Sequence, residues 1–166
     1  MIDRFSLCSG KMGYKKKVKG SDVYYKGTAS NDVLSGPPPT MPKGNIEVKG
    51  LGGNDIALSS SMTINEFAEV YGDDGDDAFV LRDNNSPESD ILFYGGIGSD
   101  RLYLAGGLWP NAAIIGGRLH IISSNGGYYV GVDESVEFIS ILVGGRRYDA
   151  PVSEVASTLK SQKDFE

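Results

Sequence analysis

A nine-residue segment recurs four times in this chain at a nearly fixed interval, and this repeat limits the folds that the chain can adopt. Each copy begins with glycine and has aspartate at its sixth position, and the leading glycines are 23, 22 and 23 residues apart. The copies are GTASNDVLS from Gly27, GLGGNDIAL from Gly50, GDDGDDAFV from Gly72 and GGIGSDRLY from Gly95. A period of this length is typical of repeat architectures in which each unit packs on the next one.

The fourth and fifth positions of the repeat are also restricted. Glycine occupies the fourth position in three copies, as Gly53, Gly75 and Gly98, and Ser30 occupies it in the first copy. The fifth position is small or polar in every copy: Asn31, Asn54, Asp76 and Ser99. Glycine adopts positive φ without strain, and Asn, Asp and Ser favour turns, so each copy predicts a tight turn that ends in a carboxylate.

Short apolar and aromatic runs flank each of these turns. Ile91–Tyr94, for example, precede the fourth copy, and Arg101–Leu104 follow it. Their β-branched, aliphatic and aromatic residues predict strands on both sides of the turn. One rung would then consist of a strand, a turn, a second strand and a return loop, and rungs would stack about 4.8 Å apart. We predict an all-β fold, a parallel β-roll or β-solenoid with rungs of about 22 residues.

Stacking would align the sixth-position aspartates in one column, with turn carbonyls directed into the gaps: Asp32, Asp55, Asp77 and Asp100. Several carboxylate and carbonyl oxygens in each gap would suit a hard cation, and Ca²⁺ accepts six to eight oxygen ligands in flexible geometry. The chain has a net charge of −6, but residues 27–100 alone carry −10. These carboxylates would repel one another unless a cation joined them, so we expect calcium as the cofactor.

The four segments resemble the repeats-in-toxin family, whose hemolysin-type calcium-binding repeat has the consensus G-G-x-G-x-D-x-U-x. Residues 95–102 match this consensus through its apolar eighth position. The resemblance implies a right-handed parallel β-roll in which Ca²⁺ lies between successive turns, held by sixth-position aspartates and turn carbonyls. The implied metal-site residues are Asp32, Asp55, Asp77, Asp100, Gly27, Ser30, Gly50, Gly53, Gly72, Asp73, Gly75, Gly95 and Gly98. Family arrays usually repeat every nine residues, whereas the longer period here predicts metal on one edge only.

A simpler interpretation of the same residues stays open. Gly-Asn-Asp clusters are ordinary turn sequences, and a solenoid can stack such turns without metal. Asp73 and Asp74 lie outside the sixth-position column, where solvated acids and additional ligands are both possible interpretations.

The remaining segments predict a cap at each end of the stack. We expect residues 1–26 to form the N-terminal cap, 27–124 the calcium-binding repeats, and 125–166 a C-terminal β-hairpin cap with a short helix. A degenerate fifth copy without aspartate is expected from Gly116. The Asn125-Gly126 pair predicts a hairpin, residues 135–150 predict two strands around Gly144-Gly145, and Ser153 is the expected N-cap of the helix.

Several function classes lack their sequence signals. The chain has no H-E-x-x-H, G-x-S-x-G or Walker A motif and only one histidine, His120, so we expect no enzymatic activity. Its single cysteine, Cys8, excludes a disulfide within the chain. The N-terminal residues lack the apolar core of a signal peptide and no run is long enough for a membrane helix, so we expect export without a standard leader and no membrane insertion.

The charge distribution also bears on partners. The acidic middle region would repel nucleic acid, and we expect none as a partner. The cluster of Lys15, Lys16, Lys17 and Lys19 is open to two interpretations, a polyanion site or a solvated group that protects a sheet edge.

Two functions agree with these expectations. The first is a calcium-binding structural or adhesive protein of an extracellular, cell-surface or virion-surface assembly, which folds on calcium binding and contacts other protein subunits. The alternative is a calcium-dependent secretion or folding module split from a larger secreted enzyme or toxin. Oligomeric state separates them, since an assembly component should form ordered oligomers and a module should be monomeric.

Overall fold

The computed structural model describes residues 15–34, 44–58, 67–82, 90–105, 111–115, 118–122, 129–143 and 146–163. Within these ranges the protein is mostly β, with two mixed sheets and one helix, α1 (Val152–Lys163). The strands are β1 (Lys15–Lys19), β2 (Asp22–Lys26), β3 (Val33–Leu34), β4 (Ile46–Gly52), β5 (Ile56–Leu58), β6 (Phe67–Asp74), β7 (Ala78–Arg82), β8 (Asp90–Ile97), β9 (Arg101–Ala105), β10 (Asn111–Ile115), β11 (Arg118–Ile122), β12 (Tyr129–Val132), β13 (Phe138–Val143) and β14 (Arg146–Pro151).

The strands that flank the repeated turns alternate between the two sheets. The eight-stranded sheet has the order β1-β2-β4-β6-β8-β12-β11-β10, and the six-stranded sheet has the order β14-β13-β9-β7-β5-β3. In the first sheet β2, β4, β6, β8 and β12 pair in parallel, and in the second β3, β5, β7, β9 and β13 do so. Equivalent positions of consecutive repeats are therefore neighbours: Val23 pairs with Ile46, Ile46 with Ala68, and Ala68 with Ile91.

The apolar core lies between the two sheets. Side chains alternate between buried and partly exposed along β4, β6 and β8, as expected when one face of a sheet is covered. Phe79 from the six-stranded sheet and Phe93 from the eight-stranded sheet are fully buried, with ring centroids 5.6 Å apart. Each such side chain contributes about 1.5–3 kcal/mol by leaving water, so the core holds the two sheets against each other.

The N-terminal part of the described chain, residues 15–26, is a hairpin. β1 and β2 pair antiparallel, with Lys15 opposite Lys26 and Lys19 opposite Asp22. Gly20 lies in the connecting turn with a φ of 64°, a conformation that glycine adopts without steric cost.

The expected fifth copy from Gly116 is wrong. β10 and β11 on either side of this glycine form an antiparallel hairpin at the edge of the eight-stranded sheet. β12 instead pairs in parallel with β8, and β13 pairs in parallel with β9. Because β12 and β13 continue the parallel pairing, the turn that continues the stack is the segment between them, residues 133–137. This segment supplies an acidic side chain, whereas the segment after Gly116 has none.

The two predicted C-terminal hairpins are present. β11 pairs antiparallel with β12, and β13 pairs antiparallel with β14. The helix begins at Val152, so Ser153 lies in its first turn and is not the N-cap. The turn residues Gly116, Asn125-Gly126 and Gly144-Gly145 themselves lie outside the described residues, as do Cys8 and the predicted return loops. Within the described ranges no helix has the length and apolar character needed to cross a bilayer.

Candidate metal centre

The four sixth-position aspartates form a buried column. Their side chains are 0–3% exposed, and each belongs to the turn that links the two sheets in its repeat: Asp32, Asp55, Asp77 and Asp100. The parallel pairing of the flanking strands aligns them, because residues one repeat apart stay in register on both sides of the turn.

In the second, third and fourth copies, one carboxylate oxygen accepts a hydrogen bond from the preceding turn. The Asp32 N–H donates to Oδ1 of Asp55 at 2.7 Å, and the Asp55 N–H donates to Oδ1 of Asp77 at the same distance. The Asp77 N–H donates to Oδ1 of Asp100 at 2.8 Å. We call these bonds the inner ladder; each satisfies a buried backbone donor with a carboxylate one repeat further along the chain.

The second oxygen differs between the first copy and the other three. Oδ2 of Asp32 accepts from the Thr28 N–H at 2.6 Å and from the Thr28 hydroxyl at 2.9 Å. Oδ2 of Asp55, Asp77 and Asp100 is buried without a hydrogen-bond partner in the described part of the chain. An ionised carboxylate with an unsatisfied buried oxygen is costly, so these three groups need a proton or a cation.

Electrostatics point to the same requirement. Burial raises the pKa of Asp55 to about 7, opposed by the hydrogen bond from Asp32 and reinforced by repulsion from Asp77. Burial also raises the pKa of Asp77, and it raises the pKa of Asp100 to about 6. Without a cation the negative charge of the column is unstable near neutral pH.

The leading glycines make room for the spare oxygens. A Cβ on Gly50 would overlap Oδ2 of Asp55 and the carbonyl oxygen of Gly72. A Cβ on Gly72 would overlap Oδ2 of Asp77 and the carbonyl oxygen of Gly95. Each of these two gaps therefore brings a partnerless carboxylate oxygen and a glycine carbonyl of the next turn to the same point.

Gly27 and Gly95, at the two ends of the column, lie in similar positions. A Cβ on Gly27 would overlap the Gly50 carbonyl oxygen, but the nearby Oδ2 of Asp32 already accepts from Thr28. A Cβ on Gly95 would overlap Oδ2 of Asp100. The pairing of a free carboxylate oxygen with a glycine carbonyl is thus shown at Asp55 and Asp77.

Positive φ occurs at the second and fourth turn positions. Gly53, Gly75 and Gly98 have φ values of 93°, 138° and 152°, and a Cβ on Gly75 would overlap the Gly53 carbonyl oxygen. Ser30 is not among the residues with positive φ, so the first turn has a different conformation. Asp73 has a φ of 73°, and its Oδ2 accepts from the Leu51 N–H at 3.2 Å rather than joining the column.

A second ladder runs along the exposed side of the same turns, formed by the fifth-position residues. The Asn54 N–H donates to Oδ1 of Asn31 at 2.9 Å, the Asp76 N–H to Oδ1 of Asn54 at 3.1 Å, and the Ser99 N–H to Oδ1 of Asp76 at 3.0 Å. In this outer ladder the side chain accepts from the following repeat, whereas in the inner ladder it accepts from the preceding one. Consecutive turns are therefore tied together in both directions.

Glu137 ends the inner ladder. The Asp100 N–H donates to Oε2 of Glu137 at 2.6 Å, and the Asp100 carbonyl oxygen accepts from the N–H groups of Glu137 and Phe138. The segment before β13 thus supplies the acceptor that a fifth aspartate would have supplied. Sequence reasoning missed Glu137 because it lies outside any copy of the repeat, 37 residues from Asp100.

The donor atoms of the column belong to the ligand class that calcium prefers. Among the described residues no three His, Cys, Asp or Glu side chains converge into a metal-binding group. A cation here would rely on one carboxylate from a turn, with backbone carbonyls and water for the rest. The buried partnerless oxygens and adjacent carbonyls are all hard oxygen donors, which is the ligand class that calcium prefers.

Comparison with family models and with curated proteins found no match. The resemblance to the repeats-in-toxin family therefore stays a prediction that depends on the four repeated segments.

Proposed function

We propose that this protein is a calcium-stabilised β-roll that serves as a structural or adhesive component of an extracellular or surface assembly. Each repeat contributes one strand to each of the two sheets, and equivalent strands of consecutive repeats pair in parallel, which supports a roll architecture. Asp55, Asp77 and Asp100 would hold the ions together with glycine carbonyls.

The observation that carries this proposal is the partnerless Oδ2 of three buried aspartates. A ladder that only had to accept backbone N–H bonds could use asparagine, as the outer ladder does at Asn31 and Asn54. Asparagine at the sixth position would keep the acceptor, avoid a buried charge and offer an N–H to the adjacent carbonyl. Aspartate in the second, third and fourth copies is better explained by a cation that needs the second oxygen.

Calcium would couple ion binding to folding. Without the ion, carboxylates that are 0–3% exposed must either stay ionised without a partner or take up protons. A bound ion supplies positive charge between two turns, and its binding free energy adds to the stability of the stack. Such a protein would order where calcium is plentiful, outside cells, and would be less stable where calcium is scarce.

A secretion or folding module split from a larger enzyme or toxin is the alternative function. Both functions use the same calcium sites and differ in assembly. Light scattering at saturating calcium separates them, because an assembly component should form discrete oligomers and a module should remain monomeric.

Calcium titration of the EGTA-treated protein tests the proposal. We expect two to three ions to bind, with heat detected by calorimetry and with an increase in the β signal of far-UV circular dichroism. Binding should be lost in the double variant Asp77→Ala/Asp100→Ala. The absence of both heat and spectral change would contradict the proposal and would mean that the turns stack without metal.

A matched pair of neighbouring residues sharpens this test. Asp77→Asn keeps the Oδ1 acceptor of the inner ladder but replaces the spare oxygen, so we expect calcium affinity to fall at least about tenfold while the calcium-free protein becomes more stable. Asp76→Asn makes the same chemical change in the exposed outer ladder and should alter both quantities little. Equal effects of the two substitutions would show that the cation does not bind in the column.

A further inference from the structure

We propose that the outer face of β1 and β2 binds an anionic polysaccharide through a lysine patch. We define this patch as Lys15, Lys17, Lys19 and Lys26, whose side chains are all exposed. The proposal does not depend on calcium binding in the aspartate column.

The register of the sheet places these lysines on one face. Val23 and Tyr25 of β2 point into the core, so Asp22, Tyr24 and Lys26 between and beside them point outward. Lys26 pairs directly with Lys15, and Tyr24 pairs with Lys17. Neighbouring lysines of the patch therefore lie about 5 Å apart across the strands and about 7 Å apart along β1.

The row of cations continues onto interior strands. Lys26 pairs with Lys49 of β4, and Lys49 pairs with Tyr71 of β6. Lysines on β1 alone would be explained by protection of the sheet edge, since β1 is the terminal strand of the described sheet. That explanation does not apply to Lys26 and Lys49, which lie on strands paired on both sides.

Like charges directly opposite each other on a sheet destabilise it, and this cost is not offset within the described part of the chain. None of the four patch lysines has an ion-pair partner there, whereas Lys49 pairs with Glu47 at 3.3 Å. Asp22, the acidic residue opposite Lys19, uses its Oδ1 to accept from the Asn45 N–H at 3.1 Å. A row of unpaired ammonium groups is suited to a ligand with regularly spaced anionic groups.

The aromatic residues favour a carbohydrate. Tyr24 lies inside the patch, half-buried and opposite Lys17, where its ring can contact the apolar face of a sugar. Tyr71 and Tyr94 further along the face stack on each other at 4.8 Å, with Lys49 over one ring and Arg118 over the other, so their ring faces are already covered. This leaves no series of open rings for the bases of a single-stranded nucleic acid.

Charge density also favours an anionic polysaccharide over a nucleic acid as the ligand. The acidic turn edge begins at Gly27, directly after Lys26, and the chain as a whole carries −6. A nucleic acid, with a phosphate on every nucleotide, would be strongly repelled by that edge. A polysaccharide with separated sulfate or carboxylate groups would be repelled less while still contacting the lysines.

Calorimetric titration with a lightly sulfated dextran sulfate, whose charged groups are separated along the chain, tests the proposal, with uncharged dextran of the same chain length as the control ligand. The full chain is used at saturating calcium, and far-UV circular dichroism verifies that each variant keeps its fold. We expect binding to dextran sulfate alone, weakening with salt. Lys15→Gln/Lys26→Gln should reduce affinity at least about tenfold at 50 mM salt and lower the salt dependence by about one unit of log–log slope per lysine.

A control variant removes the same charge from the other sheet. Arg146→Gln/Arg147→Gln changes two exposed cations on β14 and should leave affinity within about twofold. Equal losses in the two double variants would overturn the proposal, because binding would then follow net charge alone. Tighter binding to duplex DNA than to dextran sulfate would also overturn it, in favour of a nucleic-acid site.

Discussion

The inner and outer ladders perform the same structural task with different side chains. Both connect consecutive turns by giving a backbone N–H a side-chain oxygen, at 2.7–2.8 Å between the repeats in the inner ladder and 2.9–3.1 Å in the outer one. The inner residues are buried aspartates, whereas the outer residues are exposed Asn31, Asn54 and Asp76. The difference lies in the atom that the ladder does not use.

This unused atom distinguishes the outer ladder, which has a structural role only, from the inner ladder, which is the candidate metal site. In the outer ladder it faces water, and its chemistry matters little. In the inner ladder it is an unsatisfied carboxylate oxygen, which at Asp55 and Asp77 lies next to a glycine carbonyl. A hydrogen-bonded stack requires only an acceptor at each turn, whereas the buried column also requires compensation of its charge.

The largest expected effect comes from filling the space beside the inner ladder. Gly72→Ala would place a methyl group against Oδ2 of Asp77 and the Gly95 carbonyl oxygen, so we expect the free energy of unfolding to fall by at least about 3 kcal/mol. Urea denaturation at saturating calcium measures this change. Calcium affinity should fall with it.

Gly52 in the same region provides a matched control. A Cβ there would lie 3.8 Å from Ala29 Cα and 3.9 Å from the Asp74 carbonyl oxygen, which is ordinary van der Waals contact. Gly52→Ala should therefore change stability by no more than about 1 kcal/mol. Equal losses of stability in the two variants would show that the close packing beside the column is not the reason why glycine is required at position 72.

The pH dependence of the calcium-free protein gives the next largest effect. The folded-state pKa values of Asp55 and Asp100 are about 7 and about 6, above the ordinary value of 3.8. Each carboxyl group therefore binds more protons in the folded than in the unfolded state between pH 3.8 and its folded-state pKa. Its contribution to stability is fully present below pH 3.8 and is lost as the pH rises through 6 to 7. We expect the free energy of unfolding to be higher at pH 5 than at pH 7.5 by about 3–4 kcal/mol.

Thermal melts in EGTA at these two pH values measure this difference. Calcium competes with protons for the same oxygens, so saturating calcium should remove the advantage of pH 5. Asp77→Asn should also reduce the dependence, since its carboxyl pKa is raised by burial as well. A melting temperature that does not change from pH 5 to 7.5 in EGTA would contradict the buried, partnerless state of the column.

A smaller effect is expected at the end of the inner ladder. Glu137→Ala leaves the Asp100 N–H without its acceptor, and we expect a loss of about 1–2 kcal/mol in the free energy of unfolding. Glu134, an exposed acid in the same turn, is the control, and Glu134→Ala should cost less than about 0.5 kcal/mol. Hydrogen exchange of the Asp100 amide should accelerate only in the Glu137 variant.

The outer ladder should be the least sensitive part of the turns. Asn54→Ala removes the acceptor of the Asp76 N–H, but water can replace it at this exposed site, so we expect a loss of only about 0.5–1 kcal/mol. Chemical denaturation measures it. A loss as large as that of Gly72→Ala would mean that the outer ladder, rather than the buried column, holds the stack together.

Local sequence signals predicted much of the described repeat region. The period of 22–23 residues, the apolar runs beside each turn and the glycines at its first and fourth positions predicted alternating strands and turns, because each signal acts within a few residues. The column of aspartates followed from the same spacing. The C-terminal part was harder to predict. The sequence around Gly116 indicates a turn that could continue the stack, but the strand that pairs with β8 is β12. Local sequence signals do not distinguish these two possibilities, because strand pairing depends on the whole fold.

The spacing and the residue types of the repeat are enough to predict four turns with aspartate at equivalent positions. Which carboxylate oxygens accept hydrogen bonds, and which have no partner, is set by the folded stack. Oδ2 of Asp32 is satisfied by Thr28, while Oδ2 of Asp55, Asp77 and Asp100 is not, although all four positions look alike in the repeat. Hydrogen bonding and burial depend on neighbours one repeat away or further, as at Glu137, so only the stacked turns reveal them.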